Sequence, residues 1–573
     1  MNRKAGAKAS SPEKPPVPWR RSTLAFALYS AVLMFASFPL SLAPLSWVAR
    51  ALSLQAPTFL TSIHIHLWPL AWIAPVFWLW LIREKQLHGR RPYLALWGAG
   101  VVYNLLVFHF LVLPHWSGVF GWLALTTYLG VYLPAFVAIS RAAVHRLRVP
   151  LIVAAPVVWT ALELLRGYAF TGISAALLGH TQMHWTSLIQ IADAFGAYGV
   201  SFLVMFAAAC VVDTLPSLQR KWRWWPAPLA ACLVIAALAY GTFRLHQTPP
   251  SQGSARVALV QGTVETVFDT TAEEAYARME RAFDQHRDLT TRLLAENDGV
   301  ELVIWPESMF TATDVVEERT AGEEFADTAY FDSQRQTARY AQGADPYDDR
   351  PAPARLLAGT HTIRYTDDAT LRHNTALLFD RRGVPAMRYY KSHLVLFGEY
   401  LPLGDYLPWL YQFSPIGSGL APGEAPQSFL VGGLRFAPTI CFESLVPHYV
   451  QRQVTLLSRE DASPDVLVNI TNDGWFHGSS GLDQHLASNV FRAVENRRPM
   501  LVAANEGVSA HIDGSGRIVS TLPRQKAGVI IADVKPDGRD GLYQQVGDLP
   551  AWGLLALTAL AAVAGVWLRR RET

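Results

Sequence analysis

The fold is decided by a stretch in the C-terminal half of the chain, Ala437-Pro438-Thr439-Ile440-Cys441-Phe442-Glu443-Ser444. It reads as a strand that ends at the only cysteine of the polar region, because the other two cysteines, Cys210 and Cys232, lie in apolar runs. A lone cysteine at a strand end is most often a small buried apolar residue. A chemical role for Cys441 therefore depends on partners from elsewhere in the chain.

Two further segments supply such partners. The first, Val303-Ile304-Trp305-Pro306-Glu307-Ser308, is a buried strand that leads into a carboxylate, and Pro306 stops regular pairing there. The second, Tyr389–Glu399, carries Lys391. A thiol attacks well only as the thiolate, so a carboxylate that accepts its proton and an ammonium that stabilises the thiolate and the oxyanion complete an acyl-transfer site. Glu307, Lys391 and Cys441 predict such a site together, although each alone is more often structural.

The polar segment around these residues has the pattern of an α/β domain. Short β-rich runs alternate with helix-like stretches from about residue 245 to 549, which is long enough for a complete domain. We interpret the acidic residues 311–353, with a helical patch near Gln334–Tyr340, as an insertion or a surface loop. The predicted strands are Arg256–Gln261, Glu301–Trp305, Arg355–Thr362, Thr375–Asp380, Arg435–Ile440, Val466–Thr471, Met500–Ala504 and Ser509–Ile512, and the predicted helices are Thr271–Glu296 and Asp483–Asn496.

The rest of the chain has the composition of a membrane protein. Over all 573 residues, 51% are hydrophobic and only 17% are charged, against roughly 25% charged residues in soluble domains. A helix that spans a bilayer needs about 20 mostly apolar residues. About eight candidates are present, at Thr23–Leu40, Leu67–Ile82, Pro92–Leu113, Val119–Ser140, Pro150–Leu165, Ala192–Val212, Pro226–Phe243 and Ala551–Leu568.

The distribution of basic residues predicts the orientation. Cytoplasmic loops carry an excess of Lys and Arg, and here the N-terminal tail, the segments after the second, fourth and sixth candidates and the C-terminus are basic. This alternation fits eight helices with both termini in the cytoplasm and the polar segment outside it. The expected domains are a membrane domain of about seven helices at residues 1–244, an extracytoplasmic catalytic domain at 245–549, and a C-terminal transmembrane helix with a basic tail at 550–573.

In their order along the chain, the three segments resemble the motifs of the nitrilase superfamily, whose members use a Glu-Lys-Cys triad in an α-β-β-α sandwich. The runs Asn469–Phe476 and Arg492–Pro499 are similar to further motifs of that superfamily. A nitrilase-like domain between seven N-terminal helices and one C-terminal helix resembles the apolipoprotein N-acyltransferase family of bacterial inner membranes. This second resemblance covers nearly the whole chain and extends to His393–Tyr400 and Leu162–Gly172; it departs at Phe442, where a tyrosine often follows the nucleophile.

The resemblance implies a function and a mechanism. A fatty acyl group would pass from a glycerophospholipid to Cys441 as a thioester, and then to the α-amino group of the S-diacylglyceryl cysteine of an apolipoprotein, in ping-pong order. Glu307 would be the base and Lys391 would stabilise the oxyanion. The enzyme would be a multi-pass inner-membrane protein among membrane lipids, with its catalytic domain in the periplasm and both termini in the cytoplasm. This chemistry requires no cofactor and no metal.

Other residues are expected to support the site. Glu399 is placed to position Lys391, and Glu443 is placed to hold Lys391 or to order the surroundings of Cys441, against the alternative of a purely structural carboxylate. Trp475, Phe442 and Gly172 are expected to contact substrate, although a core role for Trp475 is nearly as plausible.

One charged pair lies within a predicted membrane helix. Glu163 and Arg166 are three residues apart and can meet on one helix face. Charges inside a membrane are functional by default, but we favour a structural pair at the helix end.

Two rival functions remain open from the sequence. A membrane-tethered amidase or nitrilase that hydrolyses a small amide would keep the same triad and use water as its second substrate. A transporter or assembly protein with a degenerate domain would not depend on Cys441. The net charge of only +3 argues against a nucleic-acid partner.

Overall fold

Apolar helices form at every N-terminal position where the sequence predicts a span. The computed structural model describes residues 22–41, 64–170, 172–216, 222–250, 253–267, 270–317, 328–404, 406–413 and 418–572. The basic residues predicted in the tail before Ser22, and Arg220 and Lys221, lie outside this range. The N-terminal helices are α1 Thr23–Ser37, α2 Val76–Arg83, α3 Pro92–Val107, α4 Gly118–Gly130, α5 Tyr132–His145, α6 Leu151–Tyr168, α7 Thr186–Ile189, α8 Ala192–Thr214 and α9 Pro226–His246. Strands β1 Leu40–Ser41 and β2 His64–Ile65 pair in this region.

The polar segment folds into two stacked β-sheets. Its strands are β3 Ala255–Gln261, β4 Leu302–Ile304, β5 Asp314–Glu317, β6 Arg355–Tyr365, β7 Thr370–Phe379, β8 Pro385–Tyr390, β9 Phe429–Val431, β10 Leu434–Ile440, β11 Val466–Asn472, β12 Met500–Asn505, β13 Ala510–Ile512, β14 Ile518–Thr521 and β15 Gly528–Val534. One sheet has the order β15-β3-β4-β6-β7-β8, with β5 paired to β6, and the other has the order β14-β13-β12-β11-β10-β9. Each of the eight strands predicted from the sequence is present.

A layer of helices covers the outer face of each sheet. These helices are α10 Ala272–Glu296, α11 Thr328–Ala341, α12 Pro447–Arg459, α13 Gly481–Asn496 and α14 Leu542–Val546. Alternation along β11 shows how the layers form: Val466, Val468 and Ile470 point into the core between the sheets, whereas Leu467 packs with the helices α12 and α13. The other helices, α10 and α11, pack on the seven-stranded sheet. The predicted α-β-β-α sandwich is confirmed.

The interpretation of residues 311–353 as a surface loop is wrong for the part that the structure describes. Strand β5 extends the larger sheet by pairing with β6. Its buried Asp314 pairs with Arg388 of β8 at 2.6 Å and accepts a hydrogen bond from Thr362 at 3.0 Å. Helix α11 buries Ala338 and Ala341 in the core beside this sheet. The segment is therefore an integral part of one outer layer.

The sandwich is fixed to the membrane helices through α13. At the start of α8, Gly196 has a backbone conformation outside the helical range, and the following Ala197 N–H donates to Glu495 of α13 at 2.8 Å. Asp193 of α8 pairs with Arg497, directly after α13. These buried contacts set the orientation of the sandwich on the helices.

The predicted membrane spans form apolar helices of two lengths. After the sandwich, the chain ends in the apolar helix α15 Leu549–Glu572. Among the described residues, five helices are long and apolar enough to cross a bilayer, and the other three predicted spans form shorter apolar helices. The expected count of about eight spans therefore stays a prediction. The five are Gly118–His145, Leu151–Tyr168, Ala192–Thr214, Pro226–His246 and Leu549–Arg571, and the shorter ones are Thr23–Ser37, Trp68–Arg83 and Pro92–Val107.

Candidate active site

Glu307 lies just beyond the end of β4, between the two sheets. Its side chain accepts hydrogen bonds from Asn374 Nδ2 at 2.7 Å and from the backbone N–H of Asn472 at 2.9 Å. The close approach of β6 requires glycine at position 359, because a Cβ there would lie 2.4 Å from Glu307 Cα. These contacts hold a buried carboxylate in one place, and each oxygen keeps a lone pair for a further proton donor.

Lys391 follows β8 and is only 1% exposed. Its Nζ lies 2.9 Å from Glu399 Oε1 and 3.5 Å from Glu307 Oε1. Burial lowers the pKa of Lys391, but the neighbouring Glu307, Glu399 and Cys441 more than reverse this and raise it above its ordinary value. The side chain is therefore an ammonium throughout the neutral range.

Glu399 holds the lysine from the other side. Its second oxygen accepts the Val395 N–H at 2.8 Å, and Asn374 Nδ2 lies 3.1 Å from its first oxygen. Burial raises the pKa of Glu399, but Lys391 and these donors lower it below its ordinary value. Asn374 thus donates to both carboxylates that flank the ammonium, and it fixes their separation.

Cys441 begins the 3₁₀ turn Cys441–Leu445 at the end of β10. Its φ of +52° is in the left-handed region, which costs a non-glycine residue about 1–3 kcal/mol. The cysteine is half-buried, and its carbonyl accepts a hydrogen bond from Asn469 Nδ2 at 3.1 Å. Burial and the charge of Glu307 raise the pKa of the thiol above its ordinary value, while Lys391 opposes them. The resting side chain is therefore the thiol, beside both a carboxylate and an ammonium.

Glu443 joins the segments that carry Cys441 and Lys391. One oxygen accepts the backbone N–H groups of Ser392 at 2.7 Å and His393 at 3.0 Å, and the other accepts Tyr389 Oη at 2.7 Å and Ile440 N–H at 2.8 Å. Burial raises the pKa of this carboxyl, and the hydrogen bonds from His393, Tyr389 and Ile440 and the charge of Lys391 oppose the rise. Glu443 therefore links the backbone next to Lys391 to the backbone next to Cys441, and its role in ordering the site stays a prediction.

The three residues expected to contact substrate occupy different settings. Phe442 follows the cysteine and stacks on His393, with ring centroids 5.7 Å apart. Trp475 lies half-buried in the 3₁₀ turn Asp473–Phe476 that follows β11. Gly172, after α6, has a φ of +76°, and a Cβ at this position would clash with the Gly167 carbonyl. Substrate contact by these residues stays a prediction.

Glu163 and Arg166 hold the loop that follows α6. Glu163 accepts the Leu178 N–H at 2.8 Å, and Arg166 donates to the Ala175 carbonyl at 2.9 Å. Both side chains therefore bind loop backbone. Among the described residues no ion pair joins Glu163 to Arg166, so the predicted pairing is not formed.

The turn Cys441–Leu445 also packs against the membrane helices. Leu445, at the end of that turn, and Phe476 pack on the apolar core of the membrane domain, and Phe476 meets Phe110 with ring centroids 5.3 Å apart. The site is therefore next to the helices. Chemically, the cluster can deprotonate a thiol, stabilise an oxyanion and return a proton to a leaving group.

Comparisons with known proteins cover both parts of the chain. The pattern of the apolipoprotein N-acyltransferase N-terminal domain matches residues 56–210, and that of carbon–nitrogen hydrolases matches residues 256–540. An apolipoprotein N-acyltransferase of Rhodopirellula baltica is 32% identical, over 91% of this chain and 97% of its own. One of Geobacter metallireducens is 29% identical, over 95% of each chain. Among solved structures, an amidase from Nesterenkonia is 19% identical, covers 51% of this chain and 94% of its own, and has a TM-score of 0.32.

Proposed function

This chain belongs to the apolipoprotein N-acyltransferase family, and we propose from that premise that it acylates the α-amino group of the S-diacylglyceryl cysteine of apolipoproteins. The acyl donor is a glycerophospholipid. The observation that carries the proposal is the cluster at Cys441. Lys391 Nζ lies 3.5 Å from Glu307 Oε1, and the charges of both residues shift the pKa of the Cys441 thiol. The match over 91% of the chain to an acyltransferase, membrane helices included, favours acyl transfer over hydrolysis of a small amide.

In the first half-reaction, the donor ester is cleaved. Glu307 takes the proton of the Cys441 thiol as the sulfur attacks the ester carbonyl carbon. The negative charge that develops on the carbonyl oxygen is stabilised by Lys391 and by a backbone N–H of the turn at Phe442, where the first N–H groups lack partners within the turn. The carbon–oxygen bond to glycerol then breaks, Glu307 returns the proton to the glycerol oxygen, and lysophospholipid leaves a thioester behind.

In the second half-reaction, the lipoprotein amine enters the same site. The neutral amine attacks the thioester carbon, and Glu307 accepts the proton that the nitrogen loses. The carbon–sulfur bond breaks, the amide is released, and the proton passes from Glu307 to Cys441. The protein is unchanged at the end, so one set of groups serves both steps in ping-pong order.

The surroundings of the site support lipid substrates. Several large apolar side chains that follow Lys391 are exposed, including Phe397 at 57%, Leu403 at 63% and Trp409 at 53%. Exposed apolar surface on a polar domain marks an interaction site. The turn Cys441–Leu445 packs on the membrane helices, so two lipid-anchored substrates can meet Cys441 without leaving the bilayer.

We place the protein in a bacterial inner membrane, with the sandwich in the periplasm and both termini in the cytoplasm. The support is the alternation of basic segments in the sequence, which favours cytoplasmic termini. Glu399 and Glu443 are assigned supporting roles, as positioning residues for Lys391 and for the backbone at Cys441.

The proposal is tested with purified protein, phospholipid vesicles and a synthetic diacylated lipopeptide. The wild type should form triacylated lipopeptide and lysophospholipid in equal amounts, and Cys441→Ser should form neither. Cys232→Ser, which changes an exposed cysteine of α9, is the matched control and should behave as the wild type. Release of free fatty acid with no triacylated product would show a hydrolase and would overturn the proposal.

A further inference from the structure

The second half-reaction releases one proton more than the triad can take up. An α-amino group has a pKa of about 7.7–8.0, so at neutral pH the acceptor arrives mostly as an ammonium. Its nitrogen must lose two protons before it becomes an amide nitrogen. One of them returns to Cys441 through Glu307, and a carboxylate holds only one proton at a time. The other proton needs a second acceptor close to the site.

The register of the larger sheet places a histidine in the same row as the triad lysine. His361 of β6 is paired directly with Asn374 of β7, and the N–H of Lys391 donates to the Asn374 carbonyl at 2.8 Å. Residues that are directly opposite in an antiparallel sheet point their side chains to the same face, with Cβ atoms about 4.5–5.5 Å apart. His361, Asn374 and Lys391 therefore form one row across the sheet.

This row lies on the face that carries Glu307. Side chains alternate along a strand, so His361 is on the same face as Leu357 and Gly359. Leu357 packs in the core between the two sheets, and a Cβ at Gly359 would lie 2.4 Å from Glu307 Cα. The Glu307 carboxylate extends to the row itself, where it accepts a hydrogen bond from Asn374 Nδ2 at 2.7 Å. The imidazole of His361 is therefore a direct neighbour of the amide that holds Glu307.

His361 is the open end of the row. Its side chain is exposed, whereas its strand neighbours Thr360 and Thr362 are buried. Asn374 and Lys391, the other members of the row, are buried as well. An exposed imidazole can take a proton from a substrate and pass it to water, which the buried lysine at the other end of the row cannot do.

The charges around His361 keep it in the form that accepts a proton. Desolvation beside the core lowers the pKa of the imidazole below its ordinary value, and the carboxylates of Glu307 and Glu399 oppose this. Arg372 lies on the same face of β7, one pair further along the strands, and its charge lowers the pKa further. The side chain is therefore a neutral imidazole at neutral pH.

We propose that His361 is a second general base, which deprotonates the incoming ammonium before it attacks the thioester. An N–H bond of the ammonium breaks, its electron pair stays on the nitrogen, and the proton passes to a ring nitrogen of His361. The neutral amine attacks the thioester carbon, and Glu307 carries the second proton to the departing sulfur of Cys441. The imidazolium then releases its proton to water. The inference rests on the proposed transfer of an acyl group to an amine.

The test follows the second half-reaction over a range of pH. The full chain in detergent is first loaded with phospholipid, and transfer of the acyl mass to a diacylated lipopeptide is measured in a single turnover. In the wild type, the rate should fall on the acid side with the lowered pKa of His361, below its ordinary value of about 6.5. In His361→Gln only amine that is already neutral can react, so the fall should begin at about pH 7.8. The variant should be about 10-fold slower at about pH 6.5, where about 5% of the amine is neutral, and within threefold of the wild type at about pH 8.5.

A second acceptor distinguishes a base from a structural group. Hydroxylamine is already neutral at neutral pH, so it should remove the acyl group from His361→Gln within threefold of the wild-type rate. The slowing should be confined to transfer to the lipopeptide and absent from thioester formation, which involves no amine. His246→Gln is the matched control, because His246 is an exposed histidine at the end of α9, outside the sandwich. Arg372→Gln removes a charge that lowers the pKa of His361, and should move the acid-side fall of the lipopeptide reaction to higher pH.

Failure of this inference can be told apart from failure of the proposed function. If His361→Gln keeps the wild-type pH profile, or is slowed equally at every pH and with both acceptors, the inference is overturned while the thioester still forms. If the wild type forms no thioester, the proposed function fails and the inference fails with it. Melting temperatures are measured for all variants. Should His361→Gln not fold, the direction of the shift in Arg372→Gln decides the inference.

Discussion

Replacement of Glu443 by glutamine perturbs the site without changing its shape. The four donors to this carboxylate include three backbone N–H groups that cannot rotate. The glutamine oxygen can serve Ser392 and His393, and its amide can donate to Tyr389, whose hydroxyl rotates. The N–H of Ile440 is then left facing another donor.

The expected loss follows from this count. An orphaned buried donor costs about 1–3 kcal/mol, and each hydrogen bond that loses a charged partner weakens by about 1 kcal/mol. Burial disfavours the charged form of Glu443 and raises its pKa, so a neutral glutamine avoids that cost and offsets part of the loss. We expect a net destabilisation of about 3 kcal/mol. With an unfolding entropy of about 2.1 cal/mol/K per residue, this lowers the melting temperature of a unit of roughly 300 residues by about 5 °C.

Thioester formation should also slow, because the orphaned N–H of Ile440 directly precedes Cys441. A displacement of about 1 Å at a nucleophile can cost about 100-fold in rate. The assay is thioester formation from phospholipid in a single turnover, followed by intact mass at a temperature where the variant is folded. Glu424→Gln, at a carboxylate that is 83% exposed, is the control. A Glu443→Gln enzyme within threefold of the wild-type rate would refute the ordering role of this carboxylate.

Three further predictions concern the groups around the triad and the contact between the sandwich and the membrane helices. Lys391 holds the pKa of Glu399 below its ordinary value, so their pairing stabilises the fold above about pH 4.3 and is lost as the pH falls through the lowered pKa. The melting temperature of the wild type should therefore fall more steeply below about pH 4 than that of Glu399→Gln. Equal slopes in the two proteins would contradict the pairing. Asn374→Asp places a third carboxylate against the two that this amide joins, so thioester formation should fall at least 10-fold further than in Asn374→Ala, and equal rates in the two variants would count against the bridge. Gly196→Ala puts a Cβ 2.6 Å from the Tyr543 ring at a φ of +65°, and should lower stability by about 3 kcal/mol, measured as melting temperature, whereas an unchanged value would exclude this close contact.

Local sequence signals were sufficient for much of the sandwich and for the cluster that Glu307, Lys391 and Cys441 form. The strands with long apolar runs, such as β3, β10 and β11, are recognisable from their own residues, and Glu307 and Cys441 each follow such a strand. Strand β8 was missed because Pro385–Tyr390 contains proline and arginine, and Arg388 is held in the strand by its pairing with Asp314. That partner lies 74 residues away along the chain, so no local pattern records the contact.

The polar groups between the triad residues were missed for a similar reason. Asn374 lies within β7 and reaches Glu307 and Glu399 only because neighbouring strands bring them together. Thr471 and Asp473 stand in a motif that the sequence did reveal, but their partner His485 is on a separate helix, α13. In the sequence, His485 is only a histidine near the start of a predicted helix, and nothing there points to Asp473 as its partner.

The most direct test of the central claim is the intact mass of the protein after incubation with phospholipid alone. The proposed mechanism predicts a gain equal to one fatty acyl group, located on the Cys441 peptide and labile to hydroxylamine. Addition of a diacylated lipopeptide with a free α-amino group should remove that mass, whereas the same lipopeptide with an acetylated amine should leave it. An unmodified Cys441 under conditions where the lipopeptide is acylated, or an acyl group on any other residue, would contradict the mechanism.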